Sequence, residues 1–362
     1  MKIGIVTFHN TTNYGAIYQT YALQKFLSKY VENEVVDYNN CILKKRYSIN
    51  PFNSNNYKDF LKKILYFYEN FINKKNFYIF KNKNIRISKA KYDEKNIKNA
   101  DDRYDCFIAG SDQIWNFKLN GNDDNYFTLF TSSEKKRNSY AASFGGCIFS
   151  KQDAQKIKFL MQSQNNISVR EIHAYNFLQS LNIGKVIIQN IDPVFLLSKD
   201  EWLKIMPKKK KDENYILVYE VAYVNGMVEF AKKIAREKNY KLYYASASHK
   251  RVKKSKNLIG VSPEDFLNYI ENANIVVTSS FHGMAMSIIF HKDFYYGLRE
   301  DNMVNSRLEN LAEVFDLKKR NFKYYNNNPK TINYHIIDEV IEAEKEKSKK
   351  YLERIVDFDK KK

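Results

Sequence analysis

The chain has 362 residues, of which 44% are hydrophobic, and a formal net charge of +19. This length allows two domains with ample cores, and the apolar fraction excludes a disordered tail. No apolar run reaches the eighteen or so residues that span a bilayer. Residues 1–8 predict a first strand and lack the apolar core of a signal peptide. We therefore expect a globular, cytoplasmic protein.

Cysteine spacing and net charge indicate which covalent links, metal sites and binding partners to expect. Cys41, Cys106 and Cys147 lie far apart and three thiols cannot all pair, so we expect reduced, structural cysteines. No histidine and cysteine spacing resembles a zinc site, and we predict neither a metal nor a cofactor. The positive charge favours nucleic acid, acidic membranes, or phosphorylated and carboxylated small molecules. Because the basic residues are spread along the chain, charge alone does not choose among these partners.

Short apolar runs alternate with amphipathic helical patterns, which predicts βαβ units and parallel sheets. Residues 2–8 predict a strand, about 16–30 a helix and 33–38 a second strand. A lysine-rich and asparagine-rich insertion at about 40–100 then interrupts the alternation. It contains a predicted helix near 57–73 with an apolar stripe, which packs on its own domain, the alternative we favour, or rests on a membrane surface. The stripe consists of Leu61, Ile64, Leu65, Tyr68, Phe71 and Ile72.

Further predicted strands, each followed at once by small or polar residues, complete a first α/β domain over residues 1–197. A polar, lysine-dense stretch at 198–212 predicts a boundary, and a second α/β domain is expected over 212–330. Its most clearly marked helix begins at Ser262, with Pro263 at its first position. A charged helix is expected over 331–362. The predicted fold class is α/β, with two Rossmann-like domains that face a central cleft.

The stretch "TSSFHGMAMSIIF", residues 278–290, places a histidine and a glycine between a strand and a helix predicted to begin at about Met284. A helix that starts at the carboxyl edge of a sheet presents free N–H groups to an anion. Gly283 allows a close approach, Ser279 and Ser280 offer hydroxyls, and His282 can donate a proton near neutral pH. These residues predict a phosphate or carboxylate pocket. The structural alternative is that Ser280 caps a buried helix and His282 packs against the other lobe.

A second candidate lies in the first domain. Arg170 directly follows a short apolar strand in "ISVRE". Arginine suits bidentate recognition of carboxylate or phosphate, although a salt bridge with Glu171 would explain it equally. Across a cleft between two domains, Arg170 and His282 could face one small dianion.

Six segments occur in order along the chain and together resemble the polysaccharide pyruvyl transferase family over essentially its whole length. They are "TFHNTTNYGAIYQTYALQ", "YDCFIAGSDQIWN", "YAASFG", "ISVRE", "DPVFLL" and "TSSFHGMAMSIIF" followed by "KDFY". The resemblance implies a two-domain fold similar to that of the B-type glycosyltransferases. It also implies transfer of an enolpyruvyl-derived group from phosphoenolpyruvate to a sugar of a surface polysaccharide, which gives a cyclic pyruvate ketal.

The resemblance also implies site residues. His282 matches the family's motif histidine and would hold the phosphate or act as a general acid. Arg170 matches its arginine and would neutralise the carboxylate or phosphate. Ser279, Ser280, Gly283 and Met284 would complete the phosphoenolpyruvate site.

For the acceptor sugar we predict polar and aromatic residues at the strand ends of the first domain. Asn13 and Tyr14 lie in the first βα loop, next to Gly15, where a turn and a helix cap are the structural alternative. Asp112, Gln113 and Trp115 offer a carboxylate, an amide and an indole to a sugar, although Trp115 suits the core equally. A lipid-linked acceptor would place the 57–73 segment at the inner face of the membrane.

Two other functions remain open. A glycosyltransferase of the same fold would need a base-stacking aromatic residue and a ribose-binding acid, for which Glu264 is a candidate that also suits its helix start. A nucleic-acid-binding protein would need its lysines on one face, and their dispersal argues against this. We rank pyruvyl transfer first, sugar transfer second and nucleic-acid binding third.

Overall fold

The first lobe is built on a parallel sheet. In the computed structural model, which describes residues 1–147, 149–208, 213–300, 305–326 and 330–356, its strands are β1 (Lys2–Val6), β2 (Glu32–Tyr38), β3 (Ile87–Tyr92), β4 (Cys106–Gly110) and β5 (Arg137–Tyr140). Their order is β3-β2-β1-β4-β5 and every pair is parallel. A shorter parallel pair, β6 (Ile167–Val169) and β7 (Ile187–Gln189), continues beside β5 through single bridges.

The second lobe repeats this plan. Its strands are β8 (Tyr215–Glu220), β9 (Lys241–Ser246), β10 (Lys256–Asn257), β11 (Ile275–Thr278) and β12 (Asp293–Tyr296). They form a parallel sheet in the order β10-β9-β8-β11-β12. Two doubly wound sheets, one on each side of the predicted boundary, confirm the predicted fold class. Residues 209–212 of that boundary lie outside the described residues.

Helices cover the sheets and join the lobes. The first lobe carries α1 (Tyr14–Leu27), α2 (Cys41–Arg46), α3 (Tyr57–Leu65), α4 (Phe67–Asn84), α5 (Phe117–Asn120), α6 (Lys151–Gln162) and α7 (Ile172–Ser180), and α8 (Lys199–Leu203) follows it. The second lobe carries α9 (Met227–Glu237), α10 (Pro263–Asn272), α11 (Phe281–Ile289) and α12 (Ser306–Val314), and α13 (Tyr334–Glu353) ends the described chain.

Several predicted element limits are corrected. α11 begins at Phe281 rather than at Met284, because the Ser280 side chain accepts the N–H of Gly283 and so starts the helix earlier. The α-helices of the insertion at 40–100 end at Asn84, and β3 then forms the edge strand of the first sheet. The start of α10 is confirmed: the Ser262 side chain accepts the N–H of Asp265.

The two lobes share an apolar core, which fixes how they face each other. One buried cluster contains residues of α1 in the first lobe and of α10 and α11 in the second. The Tyr14 hydroxyl donates to the Val261 carbonyl at 2.8 Å, and the Tyr14 ring stacks on Phe266 at 4.1 Å. At the other end, α13 packs back on the first lobe, where the Tyr351 hydroxyl donates to the Ser139 carbonyl at 2.7 Å.

The carboxyl ends of both sheets open into one cleft. Residues 12–14, which follow β1, and residues 245–251, at the end of β9 and just after it, line a common cleft. Ligands of doubly wound sheets bind at this edge. The site is therefore expected where strand ends of the two lobes meet.

Candidate functional site

The first-lobe half of the site is formed by the ends of β6 and β7. Arg170 follows the last residue of β6, and Asp192 follows β7 and starts a turn by accepting the Val194 N–H at 3.0 Å. Because β6 and β7 are parallel neighbours, both residues lie at the same sheet edge. Arg170 Nη1 donates to Asp192 Oδ2 at 2.6 Å, and Arg170 Nε donates to Glu171 Oε1 at 2.8 Å.

The second-lobe half of the site is His282, in the first turn of α11. Its Nε2 lies 3.5 Å from Asp192 Oδ2, the oxygen that Arg170 also contacts. The ring rests on Gly15 at the start of α1, where an added Cβ would lie 2.0 Å from His282 Nδ1. Gly15 is therefore needed for the close approach of the two lobes. We call Arg170, Asp192 and His282 the junction cluster.

Within the junction cluster, opposite charges shift the pKa values of Asp192 and Arg170 more than burial does. Burial alone would raise the pKa of Asp192, but His282 and Arg170 hold it well below its usual range. Burial alone would lower the pKa of Arg170, but Glu171, Asp192 and Asp112 raise it further above its ordinary value. Asp192 is therefore a carboxylate and Arg170 a cation at neutral pH.

A third cation comes from α12. Burial, and then repulsion by Arg170, lowers the pKa of Arg307 from its ordinary value. Its side chain lies near Arg170 and makes no ion pair with the described residues, so an added negative charge would be stabilised between the two arginines. This is the electrostatic signature of an anion site.

Buried polar atoms without partners concentrate at this place. Arg170 Nη2, Glu171 Oε2, His282 Nε2 and Arg307 Nε each lack a hydrogen bond to any described residue. Such atoms are costly in a folded protein unless a ligand satisfies them. A small, partly open cavity adjoins them, with Arg170, Asp192, Arg307 and the Phe281 ring in its wall. Arg170 also lies over the Phe281 ring, 4.7 Å from its centre.

The four residues predicted to bind phosphoenolpyruvate beside His282 have structural contacts. Ser279 Oγ accepts the N–H groups of residues 221 and 222, which braces the loop after β8. The Gly283 N–H donates to Ser280 Oγ, and the Met284 N–H donates to the Ser280 carbonyl. Ligand binding by these groups stays a prediction, and it would require the Ser280 cap to open. The structural alternative, in which Ser280 caps the helix and His282 packs on the other lobe, is what the structure shows.

The predicted acceptor residues separate into two groups. Trp115 is wrong as a sugar platform: it is fully buried, stacks on Phe127 and donates its indole N–H to the Tyr126 carbonyl. Asn13 caps α1 by accepting the Ala16 N–H. Tyr14 holds the lobes together, although it also lines the large cleft.

Asp112 and Gln113 lie in the loop after β4, on the side of the junction cluster. Asp112 has a left-handed backbone, with φ of 63°, and its charge raises the pKa of Arg170. Gln113 Oε1 accepts from the Asn116 side chain at 3.2 Å. Their role with the acceptor stays a prediction.

Sequence reasoning missed a polar cavity at the strand ends of the first lobe. It is a broad, open cavity beside His9, Asp37 and Lys81, with Tyr47 and Tyr78 in its wall. His9 is buried, and its Nε2 contacts Asp37 Oδ1 at 3.0 Å. Burial would raise the pKa of Asp37, but His9, then the hydrogen bond from Asn39 and then Lys81 outweigh it and lower the pKa to about 2. The sequence could have indicated this pair, because His9 follows β1 and Asp37 lies near the end of β2, the neighbouring strand.

The described part of the chain also bears on metal binding, on the cysteines and on membrane-spanning helices. It contains no group of three or more His, Cys, Asp or Glu side chains that could hold a metal ion. Cys41, Cys106 and Cys147 are unpaired thiols, and burial raises the pKa of Cys106 to about 12. Among the same residues, no helix is both long and apolar enough to cross a membrane.

Comparison with known proteins gives one family match. The family model described as polysaccharide pyruvyl transferase matches residues 13–302. No curated protein matches the chain.

Solved structures resemble the chain only distantly. UDP-GlcNAc 2-epimerase from Methanocaldococcus jannaschii, in complex with UDP-GlcNAc and UDP, is 13% identical, with a TM-score of 0.49 over 95% of this chain and 99% of that one. UDP-N-acetylglucosamine 2-epimerase from Rickettsia bellii is 12% identical, with a TM-score of 0.46 over 98% and 95%. ADP-heptose lps heptosyltransferase II from E. coli is 9% identical, with a TM-score of 0.36 over 82% and 84%. At these TM-scores the likeness says nothing about the chemistry of this chain.

Proposed function

We propose, from the premise that this chain belongs to the polysaccharide pyruvyl transferase family, that its donor is phosphoenolpyruvate and its product a pyruvate ketal. Membership of the family makes the chain a transferase. The acceptor would be a sugar of a cell-surface polysaccharide or of its precursor. The observation that carries the proposal is the junction cluster, in which a buried ion pair of the first lobe meets a buried histidine of the second and polar atoms are left without partners.

The donor suits the cations beside the cavity. Phosphoenolpyruvate carries a phosphate and a carboxylate on three carbons, so it needs fixed positive charge on more than one side. Asp192 and Glu171 already hold two nitrogens of Arg170, which leaves Nη2 to donate to the ligand. Arg307 supplies a second cation in the wall of the same cavity. Charges held in place before the reaction stabilise a transition state most effectively.

The reaction needs a proton on the methylene carbon of the donor. In our proposal protonated His282 supplies it, and the second carbon then becomes electrophilic and accepts one sugar hydroxyl, which loses its proton. Phosphate leaves with the electron pair of its bond to that carbon. A second hydroxyl of the sugar then adds to the carbon, loses its proton and closes the ring. Asp192 is a positioning residue, because its carboxylate lies 3.5 Å from His282 Nε2 and accepts a hydrogen bond from Arg170 Nη1.

The acceptor is assigned to the polar cavity of the first lobe. Its carboxylate, imidazole and amine groups can bond to sugar hydroxyls, and its tyrosine rings can cover the apolar face of a sugar. We place the enzyme at the inner face of the membrane, where a lipid-linked acceptor would be available.

Ligand-induced stabilisation tests the donor against the alternative of a nucleotide sugar. A ligand that binds only the folded form raises the melting temperature. We expect a clear rise with phosphoenolpyruvate and none with a panel of nucleotide sugars. The reverse pattern would replace pyruvyl transfer by glycosyl transfer.

Arg170→Lys tests how the donor is held. Lysine keeps the charge but loses the planar fork that contacts Glu171, Asp192 and the ligand. Losing a charge-assisted hydrogen bond should raise the KM for phosphoenolpyruvate by roughly 10- to 100-fold, since the contact exists in both ground and transition states. An unchanged KM in steady-state kinetics would remove Arg170 from the donor site.

A further inference from the structure

The insertion of the first lobe carries an apolar surface that faces outwards. Tyr57, Leu61, Ile64, Leu65 and Tyr68 follow one another at helical spacing along α3 and into α4, and we call them the insertion face. All are exposed, Leu65 and Tyr68 each to 73%. The buried residue of α3 is Lys63, which donates to the Asn53 carbonyl at 3.0 Å and pairs with Asp59. The helix is therefore inverted, with a charge inside and its apolar side outside.

The rear of the insertion is held firmly, so the inversion is a feature of the fold. Phe77 and Phe80 of α4 are buried in the shared core. Asn76 Nδ2 donates to the Gly260 carbonyl of the second lobe at 2.6 Å. The Tyr66 ring stacks on His249 of the second lobe at 3.9 Å. Contacts with both lobes thus fix which side of α3 and α4 turns outwards.

The surroundings of the insertion face are strongly positive. Residues 41–85 contain ten lysines and arginines but only two acids, Asp59 and Glu69. Both acids are engaged, Asp59 with Lys63 and Glu69 with His249 and Arg251. The exposed basic residues near the face include Lys44, Lys45 and Arg46 of α2 and Lys58 and Lys62 of α3.

We propose that the insertion face docks on an anionic lipid bilayer. A helix with an apolar side and flanking lysines lies in the interface of such a membrane, and each basic residue near the surface adds to the attraction. A second copy of the chain is disfavoured as the occupant, because two equally positive faces would repel each other. The described helices cannot cross a membrane, so the contact is peripheral.

Docking would bring the cleft to a membrane-bound acceptor. A cavity of about 650 Å³ connects α2, Lys62 and Lys63 with Thr12 of the first βα loop and with His249 of the second lobe. A saccharide on a lipid carrier could enter along this route. The acceptor part of the inference rests on the proposed function, whereas lipid binding stands independently of the chemistry.

Sedimentation of the full chain with vesicles tests the inference. We expect binding to phosphatidylcholine vesicles that contain about a third phosphatidylglycerol, and little binding to phosphatidylcholine alone. Leu65→Asp with Tyr68→Asp should weaken binding about tenfold or more, because charge cannot enter the interface. Lys58→Glu with Lys62→Glu should weaken it by a similar factor. Phe159→Asp, at a site on α6 that is 67% exposed, is the matched control and should bind like the wild type.

Three results would overturn the inference: no binding by the wild type, binding that Leu65→Asp with Tyr68→Asp leaves intact, or a dimer in size-exclusion chromatography that this double variant abolishes. The last result would assign the face to a second copy of the chain. Pyruvyl transfer to a soluble saccharide should be unchanged in the variant that combines Leu65→Asp with Tyr68→Asp. Vesicle binding without any transfer would contradict the proposed function and leave the docking surface standing.

Discussion

Two regions of this molecule distribute polar and apolar groups against the usual rule, in opposite directions. The junction cluster buries charges: Asp192 and Arg170 are 1% and 4% exposed. The insertion face exposes large apolar side chains at the surface of the first lobe. Burying a charge carries a desolvation penalty, and exposing apolar surface forfeits about 25 cal/mol per Å². Neither arrangement is favourable for the isolated chain.

The difference between the regions lies in how each penalty is offset. Inside, opposite charges satisfy one another and leave only a few polar atoms unpaired, which a small anion could complete. Outside, nothing in the described part of the chain covers the insertion face, so a large apolar partner is needed. The junction cluster therefore points to a substrate, and the insertion face points to a surface.

The largest effect is expected at the junction cluster, from His282→Ala. If the ring delivers a proton or stabilises the leaving phosphate, kcat should fall by about 10² to 10⁴, the usual range for a positioned acid. Donor binding should be partly retained. Steady-state kinetics measures both, with folding checked by circular dichroism. His335→Ala, at a histidine whose side chain is 82% exposed, is the control. A folded His282→Ala enzyme with unchanged kcat would return His282 to a purely structural role.

Sequence patterns predicted most of the strands, because hydrophobic periodicity and flanking turn residues are local signals. They also selected Arg170 and His282, since both follow strand ends in segments that resemble a family. The role of Asp192 could not be predicted, because its contacts come from residues 22 positions before it and 90 after it. Trp115 was misassigned for a similar reason: its burial depends on Phe127 and Phe144, which pack on it only in the folded lobe.

The insertion was the hardest region to predict. Its apolar stripe was expected to pack on its own domain, and that expectation was wrong for Leu61, Ile64, Leu65, Tyr68 and Phe71, which are all exposed. Periodicity identifies the apolar side of a helix but not what covers it. β3 was missed because its sequence, "ISKAKY", contains two lysines and only its second and sixth residues are buried.

Asp192→Asn should give the largest change in stability. Removing one partner of a buried ion pair leaves the other charges unpaired, which costs about 3–5 kcal/mol. Because the pKa of Asp192 is lowered in the folded protein, this carboxylate stabilises the fold fully above the pKa of aspartate in the unfolded chain, near 4. That stabilisation is lost as the pH falls towards the lower pKa of the folded state. Urea unfolding should therefore show that the wild type is more stable than the variant at pH 7, by a margin that shrinks towards pH 3.

The control is Asp338→Asn, in an exposed pair with His291, which should change the free energy of unfolding by less than about 1 kcal/mol. An advantage that does not vary with pH would mean that Asp192 is not charged.

Gly15→Ala tests whether the junction cluster needs the close approach of the lobes. The new Cβ would collide with the His282 ring and push it aside. A displacement of a catalytic group by about 1 Å can lower kcat by roughly 10²-fold. The loss of stability should disappear when Gly15→Ala is combined with His282→Ala, because the collision then has no partner. Additive effects in unfolding experiments on the single and double variants would exclude this contact.

The smallest effect is expected at the insertion face, from Leu65→Ala. Leu65 is 73% exposed, whereas Leu23 of α1 is fully buried in the shared core. Truncation of a buried leucine costs about 2–5 kcal/mol, while an exposed one changes stability by less than about 0.5 kcal/mol. The two variants carry the same chemical change, so urea unfolding of both separates the effect of burial from that of helix propensity.

Because alanine favours helices slightly more than leucine, Leu65→Ala could even gain stability in solution. A loss close to that of Leu23→Ala would show that the face is covered in solution, by the chain itself or by another copy. The contrast between a satisfied interior and an uncovered surface would then no longer hold.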